Sequence, residues 1–245
     1  MTVHFIGAGP GAADLLTLRA ITLMRSAPVC LYAGTYITAE VLAHCPTGAE
    51  RIDTQHLDLE AIIAHLVAAH SRGFDVARLC SGDPSLYSAL AEQTRRLDQA
   101  GVPWDVTPGV PAYAAAAAVL GRELTAPELS QTVILTRTQA RSTKMPENEA
   151  LPVLARTRAT IVLHLAITHI RQVVADLTPE YGPDAPVAVI ANASAANEVV
   201  LRGHLSNISQ QVQAAGLRQA AVIIVGRTLT AEHFVDSHLY ATRPR

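Results

Sequence analysis

The sequence predicts an α/β protein made of two α/β lobes with a ligand cleft between them. Three observations carry this. Short apolar runs of strand length alternate with stretches of helical periodicity along the whole chain. Three of the predicted strands run directly into turns rich in Gly and Pro. The 245 residues are 49% apolar and only 16% charged, enough to build cores that offset the entropy of ordering.

Taken in order, residues 2–7 read as a buried strand entering a Gly-rich turn. Asp14 then reads as the N-cap of a helix with Leu16, Ala20, Leu23 and Ala27 at helical spacing. Residues 28–32 form a second strand. Residues 56–70 form an amphipathic helix with Leu59, Ile62, Ile63, Leu66 and Val67 on one face, ended by Gly73. A strand follows at 75–80, a helix at 86–99 and a short strand at 104–107. In the second half, strands are read at 133–136, 160–165, 186–191, 199–203 and 221–225. Helices are read at 148–155, 168–177 and 206–215. This rhythm predicts a mostly parallel, doubly wound arrangement. The lobes are expected at 1–112 and 113–245, joined within residues 108–125, and clefts of this kind favour ligands.

A net charge of −2 argues against nucleic acid as the main partner. Among 19 basic side chains Lys144 is the one lysine, which fits compositional bias or a need for guanidinium forks. No run of about 18 apolar residues would span a membrane, and the opening Met-Thr-Val-His-Phe has no basic signal region. Cys30, Cys45 and Cys80 are scattered, without metal-type spacing, and fit a reducing cytoplasm. The ten histidines do not cluster, so no protein-bound metal is expected.

Three motifs carry chemistry. Gly7-Ala-Gly9-Pro10-Gly11-Ala12 nominally fits a dinucleotide fingerprint. Pro10, however, removes a backbone N–H from the turn, and no acidic residue stands about 20 positions on for a ribose hydroxyl. The motif implies a close approach by a ligand or by another backbone. Ser81-Gly82-Asp83-Pro84-Ser85-Leu86-Tyr87 sits at a strand's C-terminal end, where open α/β sheets bind ligands. There Gly82 admits a ligand to the backbone, Asp83 accepts hydrogen bonds, and Pro84 fixes the turn or opens the next helix. An ordinary strand-to-helix connection is the plain alternative. Thr107-Pro108-Gly109-Val110-Pro111-Ala112-Tyr113 is the third. It leads into the alanine run 112–118, which reads as a tightly packed helix or as backbone lying against a ligand.

Together these three motifs resemble the tetrapyrrole (corrin/porphyrin) methyltransferase family, over essentially the whole chain. Residues 159–165, 186–190 and 224–228 fit the same pattern. The resemblance implies methyl transfer from S-adenosylmethionine (SAM) to a tetrapyrrole carbon, leaving S-adenosylhomocysteine. Residues 32–42, 123–131 and 132–137 are similar to the branch that methylates precorrin-4 at C11 in cobalamin biosynthesis. The chain departs from that branch at Ala12, at 140–147 and at 190–198, while Asp14, Arg141, Pro146, Glu147, Ser194 and Glu198 fit it.

By this resemblance SAM is held by Pro10, Gly82, Asp83, Leu86, Pro111, Ala112, Leu165, Ala193 and Thr228. No catalytic residue is assigned: alignment of an already electrophilic methyl is the main requirement, and the sequence does not identify the proton acceptor that generating the carbon nucleophile would call for. A flat substrate with about eight carboxylates needs cations, and Arg137, Arg141 and Lys144 follow a predicted strand, where a plain solvated loop is the other reading. Tyr87 and Tyr113 are candidates to pack on the macrocycle. The family also implies a homodimer. Two alternatives stand beside this reading. One is another precorrin or uroporphyrinogen methyltransferase of the family. The other is a nicotinamide-dependent oxidoreductase resting on Gly7-x-Gly9.

Overall fold

The computed structural model describes residues 1–138, 144–232, 234 and 235. The chain divides into two compact units, Met1–Ala115 and Ala116–Arg245.

The first unit is a five-stranded parallel sheet in the order β3-β2-β4-β1-β5. Its strands are β1 (Val3–Gly7), β2 (Val29–Tyr32), β3 (Glu50–Asp53), β4 (Val76–Cys80) and β5 (Trp104–Thr107). Alternation along the strands sends side chains to two separate cores. Ile6, Cys30, Ala77 and Leu79 pack with Ala20 and Met24 of α1 (Leu18–Ser26) and Val41 of α2 (Ala39–Leu42). On the opposite face, Val3, Phe5, Leu31 and Val76 pack with Leu66 and Ala69 of α3 (Leu59–Ser71) and Leu97 of α4 (Leu90–Gln99). Helices on both faces of a parallel sheet make this unit doubly wound, as the alternation predicts.

Four local features differ from the sequence reading. Asp14 lies in a 3₁₀ turn, Ala13–Leu15, and does not cap α1. Thr17 caps it, its hydroxyl accepting the Ala20 amide hydrogen at 3.1 Å. Helix α4 begins at Leu90, four residues later than expected, because Tyr87 and Ala89 take left-handed backbone (φ 54° each). Pro84 therefore fixes a turn and does not open the helix. The edge strand β3 escapes a hydrophobic reading because Glu50, Arg51 and Asp53 are exposed. Helix α2 is a single turn capped by Thr38, too short to show a period.

The second unit is also five-stranded, in the order β6-β7-β10-β8-β9. The strands are β6 (Val133–Arg137), β7 (Thr160–His164), β8 (Pro186–Ala191), β9 (Val199–His204) and β10 (Ala221–Val225). Only β6 and β7 are parallel; β7/β10, β10/β8 and β8/β9 are antiparallel. This corrects the expectation of a mostly parallel second half. An apolar run does not encode its direction, and β10 enters between β7 and β8 running the other way. One core gathers Ile161, Leu163, Val189 and Ile223 with Ile170, Val173 and Leu177 of α7 (Ile170–Tyr181) and Ile208 of α8 (Ile208–Ala214). Helix α6 (Leu151–Ala155) adds Leu151 and Ala155. The alanine run is helix α5 (Ala112–Leu120), and the unit boundary falls inside it.

Candidate active site

The three sequence motifs meet at the carboxyl ends of β1, β4 and β5. Because these strands are adjacent and parallel, their following loops emerge side by side. Backbone hydrogen bonds join the first two: the Ala8 amide donates to Cys80 O at 2.8 Å, Gly9 to Gly82 O at 3.2 Å, and Gly82 back to Gly9 O at 2.7 Å. The third loop is seated by bare glycine. A Cβ on Gly109 would overlap the Gly82 carbonyl oxygen and come within 2.7 Å of Gly7 Cα. A Cβ on Gly7 would in turn overlap the Gly109 nitrogen. The close approach implied by the Gly-rich turn is thus an approach of backbone to backbone.

Asp83 closes this junction. One carboxylate oxygen accepts the Gly109 amide hydrogen at 2.8 Å. The other accepts the Ser85 amide at 2.8 Å and a short bond from the Ser85 hydroxyl. Partial burial works to raise the Asp83 pKa, but the bonds from the Ser85 hydroxyl, the Gly109 amide and the Ser85 amide outweigh it and hold the carboxyl below its ordinary range. Three of about four acceptor positions are therefore spent on loop structure. Asp83 ties loops together more than it offers an open acceptor. Gly82 sits at φ +67° beside the start of α5, where a Cβ would meet the Ala112 nitrogen at 3.5 Å.

The same geometry corrects the dinucleotide reading. Pro10 has no N–H, and the amides of Ala8 and Gly9 are already donated to Cys80 and Gly82. No row of free amides remains at Ala8–Pro10 to cradle a pyrophosphate.

The remaining predicted residues of the first unit lie around this junction. Pro10 is half-buried on the β1 loop, and Leu86 half-buried and Tyr87 46% exposed on the β4 loop. Pro111, Ala112 and Tyr113 are half-buried at the entry to α5.

In the second unit, left-handed backbone follows β7 and β8, and also precedes β7 at Arg158 and β10 at Ala220. Leu165 directly follows β7 with φ 53° and is 60% exposed. Asn192 (φ 50°) and Ser194 (φ 68°) follow β8 and flank buried Ala193. The Ser194 amide donates to the Glu198 carboxylate at 2.7 Å, which holds that turn. Left-handed backbone at a branched or bulky residue costs of order 1–3 kcal/mol and collects at ligand sites. An apolar side chain left exposed there has the same meaning. The register puts Leu165 and Ala193 at one end of this sheet, beside the start of β10.

Thr228 is not brought to them. Because β10 runs antiparallel, Thr228 lies at the opposite end, buried, with its hydroxyl 3.3 Å from that of Thr160 at the start of β7.

Arg137 and Lys144 line a pocket of about 450 Å³ together with Thr138, Met145, Glu147 and His169. Arg137 donates to Thr138 O at 3.3 Å, and Lys144 lies 3.9 Å from the Glu147 carboxylate. Arg141 lies outside the described residues. Among the described residues no three His, Cys, Asp or Glu side chains converge as a metal site, and no helix is long and apolar enough to cross a membrane.

Joined glycine loops at adjacent parallel strand ends in the first unit, and left-handed backbone with an exposed apolar side chain after β7 in the second, are each features of α/β proteins that bind small ligands at strand ends. Comparison with known proteins agrees. The family model for Tetrapyrrole (Corrin/Porphyrin) Methylases matches residues 2–209, and the chain belongs to that family. It is 57% identical over 246 residues to a precorrin-4 C(11)-methyltransferase from Rhodococcus erythropolis, covering 100% of this chain and 99% of that one. Among solved structures, a cobalt precorrin-4 methyltransferase, described as a cobalamin biosynthetic enzyme, superposes with a TM-score of 0.90 at 35% identity, covering 93% of this chain and 95% of the other. A uroporphyrin-III C-methyltransferase from Thermus thermophilus, in complex with S-adenosylhomocysteine, gives a TM-score of 0.78 at 27% identity, covering 94% and 99%.

Proposed function

We propose that this chain transfers a methyl group from SAM to C11 of precorrin-4, within cobalamin biosynthesis. The observation that carries this reading is its end-to-end similarity to a relative of that name, at 57% identity. The lower identity of 35% to a relative named for the cobalt-containing substrate favours the substrate without cobalt.

SAM supplies a methyl group already activated by its sulfonium. The chain's task is then to bind, orient and exclude water. In the first unit Pro10, Gly82, Leu86, Pro111 and Ala112 offer small or apolar surface and backbone groups beside the junction. Asp83 holds that junction in register. Its depressed pKa makes it a weak base at neutral pH, so it is assigned no proton-transfer role. In the second unit Leu165 and Ala193 present the strained strand ends. Thr228, buried with its hydroxyl against that of Thr160, stays in the cofactor set on the strength of the family resemblance. Arg137 and Lys144 supply cations for substrate carboxylates, with Arg141 a further candidate. Tyr87 and Tyr113 are offered as macrocycle contacts.

The enzyme is placed in the cytoplasm, which suits its three free cysteines. It is expected to act as a homodimer; the exposed Trp104 and Val106 on edge strand β5 are compatible with a pairing surface. Calorimetry with S-adenosylhomocysteine, run in parallel with NAD, tests the cofactor assignment. Micromolar binding of the first alone supports it; binding of NAD alone overturns it.

A further inference from the structure

Arg78 is an unusual strand residue. It stands in the middle of β4, is 7% exposed, and among the described residues makes no ion pair. Burying a guanidinium without a counter-charge is costly, and burial lowers its pKa from the ordinary range. What the guanidinium does is hold Gln93. Arg78 Nε donates to Gln93 Oε1 at 3.0 Å, while its other contacts, to Thr54 Oγ1 at 3.5 Å and Leu79 O at 3.4 Å, are long. Gln93, itself 2% exposed, turns its amide nitrogen to the loop that precedes α4. Nε2 donates to Ala89 O at 3.1 Å and to Ser88 O at 3.3 Å.

These two carbonyls belong to the strained part of the β4 loop, where Tyr87 and Ala89 are left-handed and Ala89 provides no side-chain cap for the helix. Asp83 fixes one end of that loop against Gly109. At the other end the Ser88 hydroxyl donates to Pro84 O within the loop and the Gln93 backbone amide donates to Ala89 O at 3.2 Å, and the Gln93 side chain adds two further bonds from helix α4. Because Arg78 engages Oε1, the amide of Gln93 is oriented with its N–H groups toward the carbonyls. The guanidinium thus sets which way the amide faces.

We infer that Arg78 and Gln93 form a positioning pair that sets the conformation of residues 82–89 for binding SAM. This rests on the function proposed above. Neither side chain is asked to touch the cofactor. Both act through the loop that carries Gly82 and Leu86.

The decisive variant is Gln93→Glu. It keeps an acceptor for Arg78 and adds the missing counter-charge, but it has no N–H for the two carbonyls. A residue that merely neutralises Arg78 would be served as well by Glu. A residue that positions the loop would not. In the full-length enzyme, Gln93→Glu is expected to weaken S-adenosylhomocysteine binding about tenfold, the scale of one or two lost hydrogen bonds. The KM for SAM should rise in step while kcat stays within about twofold. Amide hydrogen exchange across residues 82–89 should quicken without ligand, with the thermal midpoint held. Arg78→Lys, which keeps the charge and loses the Nε fork, should shift the same readouts in the same direction.

Wild-type affinity and wild-type exchange in Gln93→Glu overturn the inference. Absence of S-adenosylhomocysteine binding in the wild type instead contradicts the proposed function, and exchange across residues 82–89 then still decides the positioning role.

Discussion

The Asp83 carboxylate accepts the Gly109 amide hydrogen at 2.8 Å, joining the loop after β4 to the loop after β5. Both ends of this bond were visible as motifs, and the bond converts them into one surface. Since β1 lies between β4 and β5, the link also spans the Gly7 turn, which no side chain obstructs.

The bond has a pH signature. Asp83 has a folded-state pKa below its unfolded value of about 3.9, so its contribution is present above that value and is lost as pH falls through the folded pKa. Urea melts of the wild type should lose stability below about pH 4. Asp83→Asn should be destabilised by about 1–3 kcal/mol at pH 7 and show a smaller loss on acidification. An identical acid limb in both proteins would remove Asp83 from this account.

Glycine at 109 is required by contact and not by dihedral. Gly109→Ala should cost at least about 1–3 kcal/mol, because the added carbon meets rigid backbone on two loops. Gly48→Ala, where a Cβ meets nothing within 4 Å, should be neutral or slightly stabilising. Chemical denaturation of the two variants checks the contrast.

Leu165 separates stability from function. Replacing it with Gly removes an exposed apolar side chain and relieves left-handed strain of about 1 kcal/mol. Leu165→Gly should therefore melt no lower than the wild type while binding S-adenosylhomocysteine more weakly. A lower midpoint with unchanged affinity would return Leu165 to a purely structural role.

Arg137 should act on the substrate side. Arg137→Ala is expected to raise the KM for the tetrapyrrole about tenfold, the scale of a lost charged hydrogen bond, and to leave S-adenosylhomocysteine affinity unchanged. Calorimetry together with steady-state kinetics distinguishes this from a general loss of fold.

Much of the first unit was legible because its chemistry is local. Buried parallel strands read as apolar runs, and the Gly-Pro turns fall at their carboxyl ends. Asp14 does not cap α1 because Thr17, three residues on, also offers a side-chain acceptor and lies directly before the helix. The second unit was less legible. Strand identity survived there but direction did not, since β8, β9 and β10 carry no residue that specifies antiparallel pairing. That reversal also moved Thr228 away from Leu165, which no spacing in the sequence could reveal.

Pro10, Gly82, Pro111 and Ala112 are assigned to the cofactor by the family resemblance, and the structure gathers them around one junction in the first unit. Gln93 was missed. In the sequence it is one polar residue in an amphipathic helix, and its meaning comes only from Arg78, 15 positions earlier on the neighbouring strand. The left-handed residues Asn192 and Ser194 gave a weak signal at most, as Asn tolerates such backbone and Ser does so less readily.

The central claim is methyl transfer to one defined carbon. It is tested most directly by incubating the enzyme with precorrin-4 and SAM carrying a ¹³C-labelled methyl group, then reading the product by NMR. The account predicts a single new ¹³C methyl attached at C11. Label at a different ring carbon, or no transfer by an enzyme that binds both ligands, would contradict it.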